Sequence, residues 1–67
     1  MKIAGERIRE LRTEKGLSCV ALGKAIGVND SVIVRWENNK HDIKAEYLKK
    51  VAQYFGVTTD YLVGLEN

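Results

Sequence analysis

The chain has 67 residues, a net charge of +2 and one cysteine, which suits a single small domain over residues 1–67. One cysteine cannot form an internal disulfide, and no cysteine–histidine cluster has zinc-site spacing, so we expect a reduced cytoplasmic protein without metal or cofactor. The sequence contains neither the ~18 consecutive apolar residues of a membrane helix nor a signal-peptide core.

The first segment with regular hydrophobic spacing predicts an amphipathic helix over residues 3–15. Ile8 and Leu11 lie three positions apart, and charged side chains surround them. Gly16 then ends this helix.

Two shorter helices follow and meet at a glycine, with the spacing of a helix-turn-helix unit. Ser18 is a suitable N-cap, and Leu22 and Ile26 recur four positions apart behind it. Gly27 can adopt the positive φ that ends the first of the two helices, and Asn29 caps the second.

This second helix of the unit, predicted over about residues 29–38, has two different faces. Ile33, Trp36 and Glu37 follow a 3–4 repeat and predict a side that faces the core. The asparagine pair at residues 38 and 39 ends the helix, because one asparagine can adopt the left-handed conformation. The opposite side is predicted to face outward and carries Asp30, Ser31, Val34 and Arg35.

Residues 45–55 predict a fourth helix, which Gly56 ends, and Thr58 is a suitable N-cap for a last short helix before Gly64. No segment alternates with period two for long enough to predict a strand. The predicted fold class is therefore all-α, with five helices. The predicted core consists of Ile8, Leu11, Leu17, Leu22, Ile26, Ile33, Trp36, Leu48, Val51, Ala52, Phe55, Val57 and Leu62.

Four motifs occur in a characteristic order: Ile8-Arg-Glu-Leu-Arg12 before Gly16-Leu-Ser18, Ile26-Gly-Val28 at the turn, Arg35-Trp-Glu-Asn38, and the stretch from Tyr47 to Leu62. With them, nearly the full chain resembles the Cro/C1-type helix-turn-helix family of phage and bacterial repressors. The resemblance implies a five-helix, lambda-repressor-like DNA-binding domain. It also implies a two-fold dimer on operator DNA, with the third helix of each copy in the major groove.

The resemblance implies base contacts at the start and middle of the third helix, on Asp30, Ser31 and Arg35. Arg35 can bond bidentately to guanine O6 and N7, and a phosphate contact is its alternative role. Asp30 can accept from cytosine N4 or only place a negative charge at the helix N-terminus. Val32 and Val34 are expected to face outward, where they contact thymine methyl groups or a protein partner.

Phosphate contacts are implied at the start of the second helix and around the end of the third, where backbone N–H groups and a helix dipole attract anions. Ser18 also serves as an N-cap, and Arg12 is expected to form a structural ion pair with Glu37. The predicted DNA backbone contacts are Arg12, Ser18, Cys19, Val32, Asn38 and Lys40.

The chain departs from the family pattern at several positions. Cys19 stands where glutamine is usual, and Ala21 replaces the acidic residue of the capping box. Gly23 takes a position of tight-packing alanine, at a cost of about 1 kcal/mol in helix propensity. Asn39 replaces a glycine, and Ile43 stands where proline is frequent.

The leading hypothesis is a sequence-specific regulator, a repressor that binds double-stranded DNA as a homodimer. Its operator would be a pseudo-palindrome with half-sites about 34 Å apart. Tyr54, Tyr61, Leu65 and the carboxyl-terminal tail are the candidate dimer surface, with Tyr61 and Leu65 as plain core residues if pairing occurs only on DNA. No small-molecule ligand or membrane partner is evident.

The alternative hypothesis is a protein-interaction module in which the apolar outer face of the third helix binds an antirepressor or another regulator. An enzyme is not expected, because one histidine, one cysteine and scattered carboxylates form no nucleophile–base pair or metal triad. His41 is expected to be solvated in a loop. Cys19 is expected to be a small half-buried side chain, with a redox-sensitive thiol as the alternative.

Overall fold

The computed structural model describes residues 2–39 and 42–66, which form five α-helices and no strand. The helices are α1 (Lys2–Glu14), α2 (Cys19–Ile26), α3 (Asp30–Glu37), α4 (Ala45–Phe55) and α5 (Thr59–Leu62). The all-α, five-helix prediction is therefore confirmed. Lys40 and His41 lie outside the described residues.

Three of the helices begin at side-chain caps that the sequence predicted. The side chains of Ser18, Asn29 and Thr58 each accept a hydrogen bond of 3.0 Å from a backbone N–H two or three residues further on. These bonds satisfy donors that the first turn of a helix leaves without an intrahelical partner. The cap residues therefore define where α2, α3 and α5 begin.

Two of the predicted helix ends are confirmed by residues with a left-handed backbone. Gly27 has a φ of 83° at the end of α2, and its N–H donates to the carbonyl of Gly23 at 2.8 Å. Asn39 follows α3 with a φ of 60°, the only positive φ of a non-glycine residue in the described part of the chain. Asparagine tolerates this conformation better than most residues.

One hydrophobic core joins all five helices. Its larger members at or near complete burial are Ile8, Leu22, Ile26, Ile33, Trp36, Val51, Phe55 and Leu62. Leu11, Leu17, Leu48 and Val57, which we predicted as core residues, are half-buried and pack against its edge. Ala4 is fully buried although its spacing did not predict it.

Two helical glycines allow neighbouring backbones to approach closely. A Cβ atom on Gly5 would lie 2.1 Å from the carbonyl oxygen of Trp36, and one on Gly23 would lie 2.5 Å from the carbonyl oxygen of Val28. Real Cβ contacts are not this short, so α1 and the end of α3, and α2 and the turn, are packed at distances that only glycine permits. The structure thus explains the glycine at position 23.

Residues of α1 contact α5 and the residues that follow it; we call this contact the α1–α5 latch. The Arg7 guanidinium lies 4.2 Å from the centre of the Tyr61 ring and donates to the Glu66 carbonyl at 3.1 Å. A Cβ on Gly64 would lie 2.9 Å from the Ile3 side chain, so the tail is pressed against α1. The latch is defined by Ile3, Arg7, Tyr61, Gly64 and Glu66.

Candidate nucleic-acid interface

The outer face of α3 is a continuous exposed surface on a helix whose inner face is fixed. Ile33 is fully buried and Trp36 is 4% exposed, so the core determines the rotation of the helix about its axis. All four residues predicted to contact bases are exposed on the outer face: Asp30, Ser31, Val34 and Arg35. They form two pairs spaced four residues apart, which places them in two adjacent turns of the same side. We call this surface the α3 outer face.

The prediction that Val32 faces outward was wrong. Val32 is half-buried and packs against the core, whereas Val34 is 42% exposed. Val32 lies four residues before Trp36 and therefore on the same side of α3 as that buried ring. The 3–4 repeat that identified the core-facing residues did not include this flanking position.

The guanidinium of Arg12 holds three segments together. Its Nε and Nη2 donate to the two carboxylate oxygens of Glu37 at 2.7 and 2.9 Å, and its Nη1 donates to the Leu17 carbonyl at 2.8 Å. The side chains of Arg12 and Glu37 are only 15% and 8% exposed. Because hydrogen bonds from a charged group of this geometry are strong, the end of α1, the segment before α2 and the end of α3 are held in fixed relation.

This ion pair also brings the predicted phosphate contacts together. Leu17 directly precedes Ser18 and Cys19, and Glu37 directly precedes Asn38. Both ends of the α2–α3 unit are therefore adjacent to a single guanidinium. The hydrogen bonds to Glu37 raise the pKa of Arg12. Two of the five N–H groups of its guanidinium take no part in the three hydrogen bonds to Glu37 and Leu17.

Ser18 and Cys19 form the N-terminus of α2, where a helix dipole and free N–H groups favour an anion. Ser18 is exposed, and its hydroxyl can donate while accepting from the backbone N–H that it caps. Cys19 is half-buried, as predicted. Burial raises the pKa of its thiol, and the nearby Glu37 carboxylate acts in the same direction. The structure therefore does not favour a reactive thiolate at neutral pH.

A cleft of about 230 Å³ beside α3 adds two residues that the sequence reasoning missed. Lys44 and Tyr47, at the start of α4, line it together with Arg35, Val32, Trp36 and Asp42. Lys44 occupies the N-cap position of α4 without a capping hydrogen bond. A lysine immediately before a predicted helix was the available signal, but its distance from Arg35 depends on the path of the intervening loop.

The described residues contain no group of three histidine, cysteine, aspartate or glutamate side chains placed to hold a metal ion. In the same part of the chain, none of the helices is both long and apolar enough to span a bilayer.

An α2–α3 pair that meets at a tight turn and is supported by three further helices defines the helix-turn-helix class. Residues 8–62 match the helix-turn-helix family. The chain therefore belongs to this family, in its Cro/C1-type branch.

Two curated relatives match most of this chain. The HTH-type transcriptional activator BcrR of Enterococcus faecalis is 34% identical over 61 residues, which cover 91% of this chain and 30% of BcrR. Repressor protein C2 of Salmonella phage P22 is 32% identical over 62 residues, which cover 92% of this chain and 29% of C2. The chain thus spans less than a third of the length of either relative.

Solved structures show the same fold. The P22 c2 repressor protein in complex with a synthetic operator superimposes with a TM-score of 0.85 at 32% identity, covering 92% of this chain and 94% of that one. The N-terminal DNA-binding domain of SinR from Bacillus subtilis superimposes with a TM-score of 0.86 at 30% identity, covering 94% and 93% of the two chains.

Proposed function

We propose that this protein is a sequence-specific, double-stranded-DNA-binding transcriptional regulator that inserts α3 into the major groove. The observation that carries the proposal is the α3 outer face, an exposed polar surface on a helix whose opposite side is locked into the core. A helix of this diameter fits the major groove, where each base pair presents a distinct pattern of donors and acceptors. The P22 c2 repressor has the same fold and has been solved with a synthetic operator, which supports this assignment.

The roles of the α3 residues follow from their chemistry. Arg35 is assigned to guanine, because its fork matches O6 and N7. Val34 is assigned to a thymine methyl group, and Ser31 and Asp30 to neighbouring base edges with weaker discrimination. Their exposure on one side of α3 supports a common target.

A second set of residues is proposed to position the protein on the phosphate backbone without reading sequence. It comprises Ser18 and Cys19 at the N-terminus of α2, Arg12 through its unused N–H groups, and Asn38. Lys40 stays in this set on sequence grounds, and Lys44 joins it because it lines a cleft with Arg35. Val32 is half-buried against the core, so its side chain is left out of this set.

We further propose that the protein acts as a homodimer and as a repressor. Leu65 is 76% exposed, and Ile3, a member of the α1–α5 latch, is 43% exposed. Ile3 lies against Gly64, the residue before Leu65, so a second copy could cover both apolar side chains. Tyr61 is half-buried beneath Arg7 and is not part of this surface. Repression needs only an occupied operator, whereas activation needs a further contact. A DNA partner also agrees with the cytoplasmic location expected above.

Selection of bound sequences from a random duplex pool tests this function. We expect enrichment of a two-fold motif with half-sites about one helical turn apart. Affinity for the selected duplex should fall steeply with salt. The logarithm of the binding constant, plotted against the logarithm of the salt concentration, should have a slope of about −0.9 for each phosphate contacted. Failure to enrich any sequence even at low salt would contradict the proposal.

The alternative of a protein-interaction module on α3 has lost part of its support. It depended on two exposed valines and on the neutral local charge of residues 29–44. Of the two valines, only Val34 is exposed. A single valine among polar side chains is an ordinary feature of a protein surface. Salt dependence separates the two hypotheses, because apolar docking would change little with ionic strength.

A further inference from the structure

An open cleft of about 570 Å³ lies between the C-terminal end of α2 and the second half of α4. Its walls are formed by Lys24 and Gly27 on one side and by Lys50, Gln53 and Tyr54 on the other. We call it the α2–α4 cleft. None of its lining residues belongs to the α3 outer face or to the proposed phosphate contacts. The function proposed above therefore leaves this surface unused.

The α2–α4 cleft is basic and has an aromatic wall. Lys24 and Lys50 line it, and the Nζ of Lys15 lies 6.0 Å from the centre of the Tyr54 ring. None of these three lysines is at ion-pair distance from a carboxylate among residues 2–39 and 42–66. Tyr54 is 42% exposed, although it packs edge-on against Phe55 at 5.1 Å. Two lysines therefore line the cleft together with an accessible ring, and a third lies near that ring. The Nζ of Lys50 is also 5.6 Å from the centre of the Tyr47 ring.

The shape of the cleft selects the kind of ligand. Sites for small molecules enclose most of their ligand, whereas this cleft is an open trough with an apolar floor that includes Ile26. A trough of this kind accommodates an extended chain segment. Its lysines require negative charge for complementarity, and an exposed tyrosine is a residue type that anchors protein interfaces.

We propose that the α2–α4 cleft binds an acidic segment of a partner protein, with carboxylates on the lysines and an apolar side chain against Tyr54. DNA is the less suitable occupant, because phosphate contacts do not need the aromatic wall or the apolar floor. The cleft also lies at the end of α2 opposite to Ser18, about 10 Å along the helix axis at 1.5 Å per residue. The partner would therefore bind while α3 stays free for DNA.

Fluorescence polarisation with a labelled peptide tests this proposal in the absence of DNA, so its outcome does not depend on the proposed function. The probe has glutamates that flank a central pair of leucines. We expect saturable binding, weakened about tenfold or more by the double variant Lys24→Glu/Lys50→Glu. Lys49→Glu is the control and makes half of that charge change, because Lys49 is an exposed lysine of α4 that does not line the cleft. Its effect should be less than about threefold.

Tyr54→Ala provides a second variant that leaves the charge unchanged. We expect it to weaken the peptide several-fold while leaving affinity for duplex DNA unchanged, since the aromatic wall serves only the peptide. Equal losses for Lys49→Glu and the double variant would overturn the proposal, because they would indicate nonspecific attraction. Two further results would overturn it as well: displacement of the peptide by random duplex DNA, and loss of self-association in sedimentation of Tyr54→Ala. Absence of peptide binding at low salt would have the same consequence.

Discussion

Arg12 and Glu37 join the end of α1 to the end of α3 through two hydrogen bonds. Their bidentate pair is almost excluded from water, so neither group can recover its hydration if the other is lost. We expect Glu37→Gln to lower the free energy of unfolding by about 1–3 kcal/mol. Urea denaturation measures this change.

The control for that measurement is a double-mutant cycle with Arg12→Met. If the two residues act as a pair, the double variant should lose less than the sum of the two single losses. Glu46→Gln, at an exposed position of α4, should change stability little. A loss below about 0.5 kcal/mol for Glu37→Gln would place the pair among ordinary surface ion pairs.

Arg35 is the residue expected to read a base pair. Arg35→Ala should cost about 1–3 kcal/mol on the preferred duplex and relax preference at one position, because a bidentate contact to guanine is lost. Lys40→Ala should instead weaken binding to all sequences about equally. Titration of both variants against the selected duplex and a random one measures the difference. Equal losses of Arg35→Ala on the two duplexes would assign Arg35 to the backbone.

Cys19 makes a pH-dependent prediction. Burial raises the pKa of its thiol, so alkylation by iodoacetamide should reach half its maximal rate above the ordinary value of about 8.5. As pH rises, the thiol ionises at a lower pH in the unfolded chain than in the folded protein. The free energy of unfolding should therefore decline as pH rises through this range, and Cys19→Ala should reduce that decline. Alkylation in urea supplies the reference. A midpoint below the ordinary value would indicate a reactive thiolate instead.

At the scale of the elements, replacing Gly23 by alanine would improve helix propensity but create a steric clash. Alanine would favour the helix by about 1 kcal/mol, but its Cβ would meet the Val28 carbonyl oxygen at 2.5 Å. Because that oxygen belongs to the turn backbone, the clash cannot be relieved by a side-chain rotation. We therefore expect Gly23→Ala to destabilise the protein by about 1–3 kcal/mol.

Ala25→Gly is the matched variant, since Ala25 is an exposed residue of the same helix. Propensity alone should cost it about 1 kcal/mol. Thermal unfolding of the two variants compares the effects directly. A more stable Gly23→Ala protein would mean that α2 can move away from the turn.

The helices were predictable because their signals are local. Ser18, Asn29 and Thr58 cap the helices that follow them through bonds spanning two or three residues, and α4 has its predicted bounds. Close packing was not predictable in the same way. Gly5 meets Trp36 across the fold, and no periodicity within α1 encodes that approach.

In the candidate site, too, features set by local spacing were predictable and features set by distant contacts were not. Exposure of Arg35 and Val34 followed from the 3–4 repeat of α3, because the buried residues fix the opposite side. Lys44 was missed because its place beside Arg35 depends on the connection between α3 and α4. The burial of Val32 at the edge of the core depends on its neighbours in the same way.

For the whole molecule, the proposed dimer makes a prediction about Leu65. Its exposure does not arise from a frayed end, because its N–H donates to the Asp60 carbonyl at 2.8 Å. Leu65→Asp should weaken dimerisation at least tenfold, because a carboxylate would have to be buried in an apolar contact. Sedimentation equilibrium measures the dissociation constant.

Val20→Asp is the control, because Val20 is another exposed apolar residue, at 49%, and belongs to α2 and not to the α1–α5 latch. It should leave dimerisation unchanged. Equal weakening by both variants, or a wild-type protein that stays monomeric at millimolar concentration, would contradict the assigned surface.

The α1–α5 latch has a consequence for how the molecule fluctuates. α5 has four residues and α3 has eight, so local opening of α5 breaks fewer hydrogen bonds and contacts than opening of α3 and requires less free energy. This opening leaves α3 in place, since the Arg12–Glu37 pair joins α1 directly to α3. Amide exchange should therefore be faster in α5 than in α3, and on heating the proposed dimer surface would be lost before the α3 outer face.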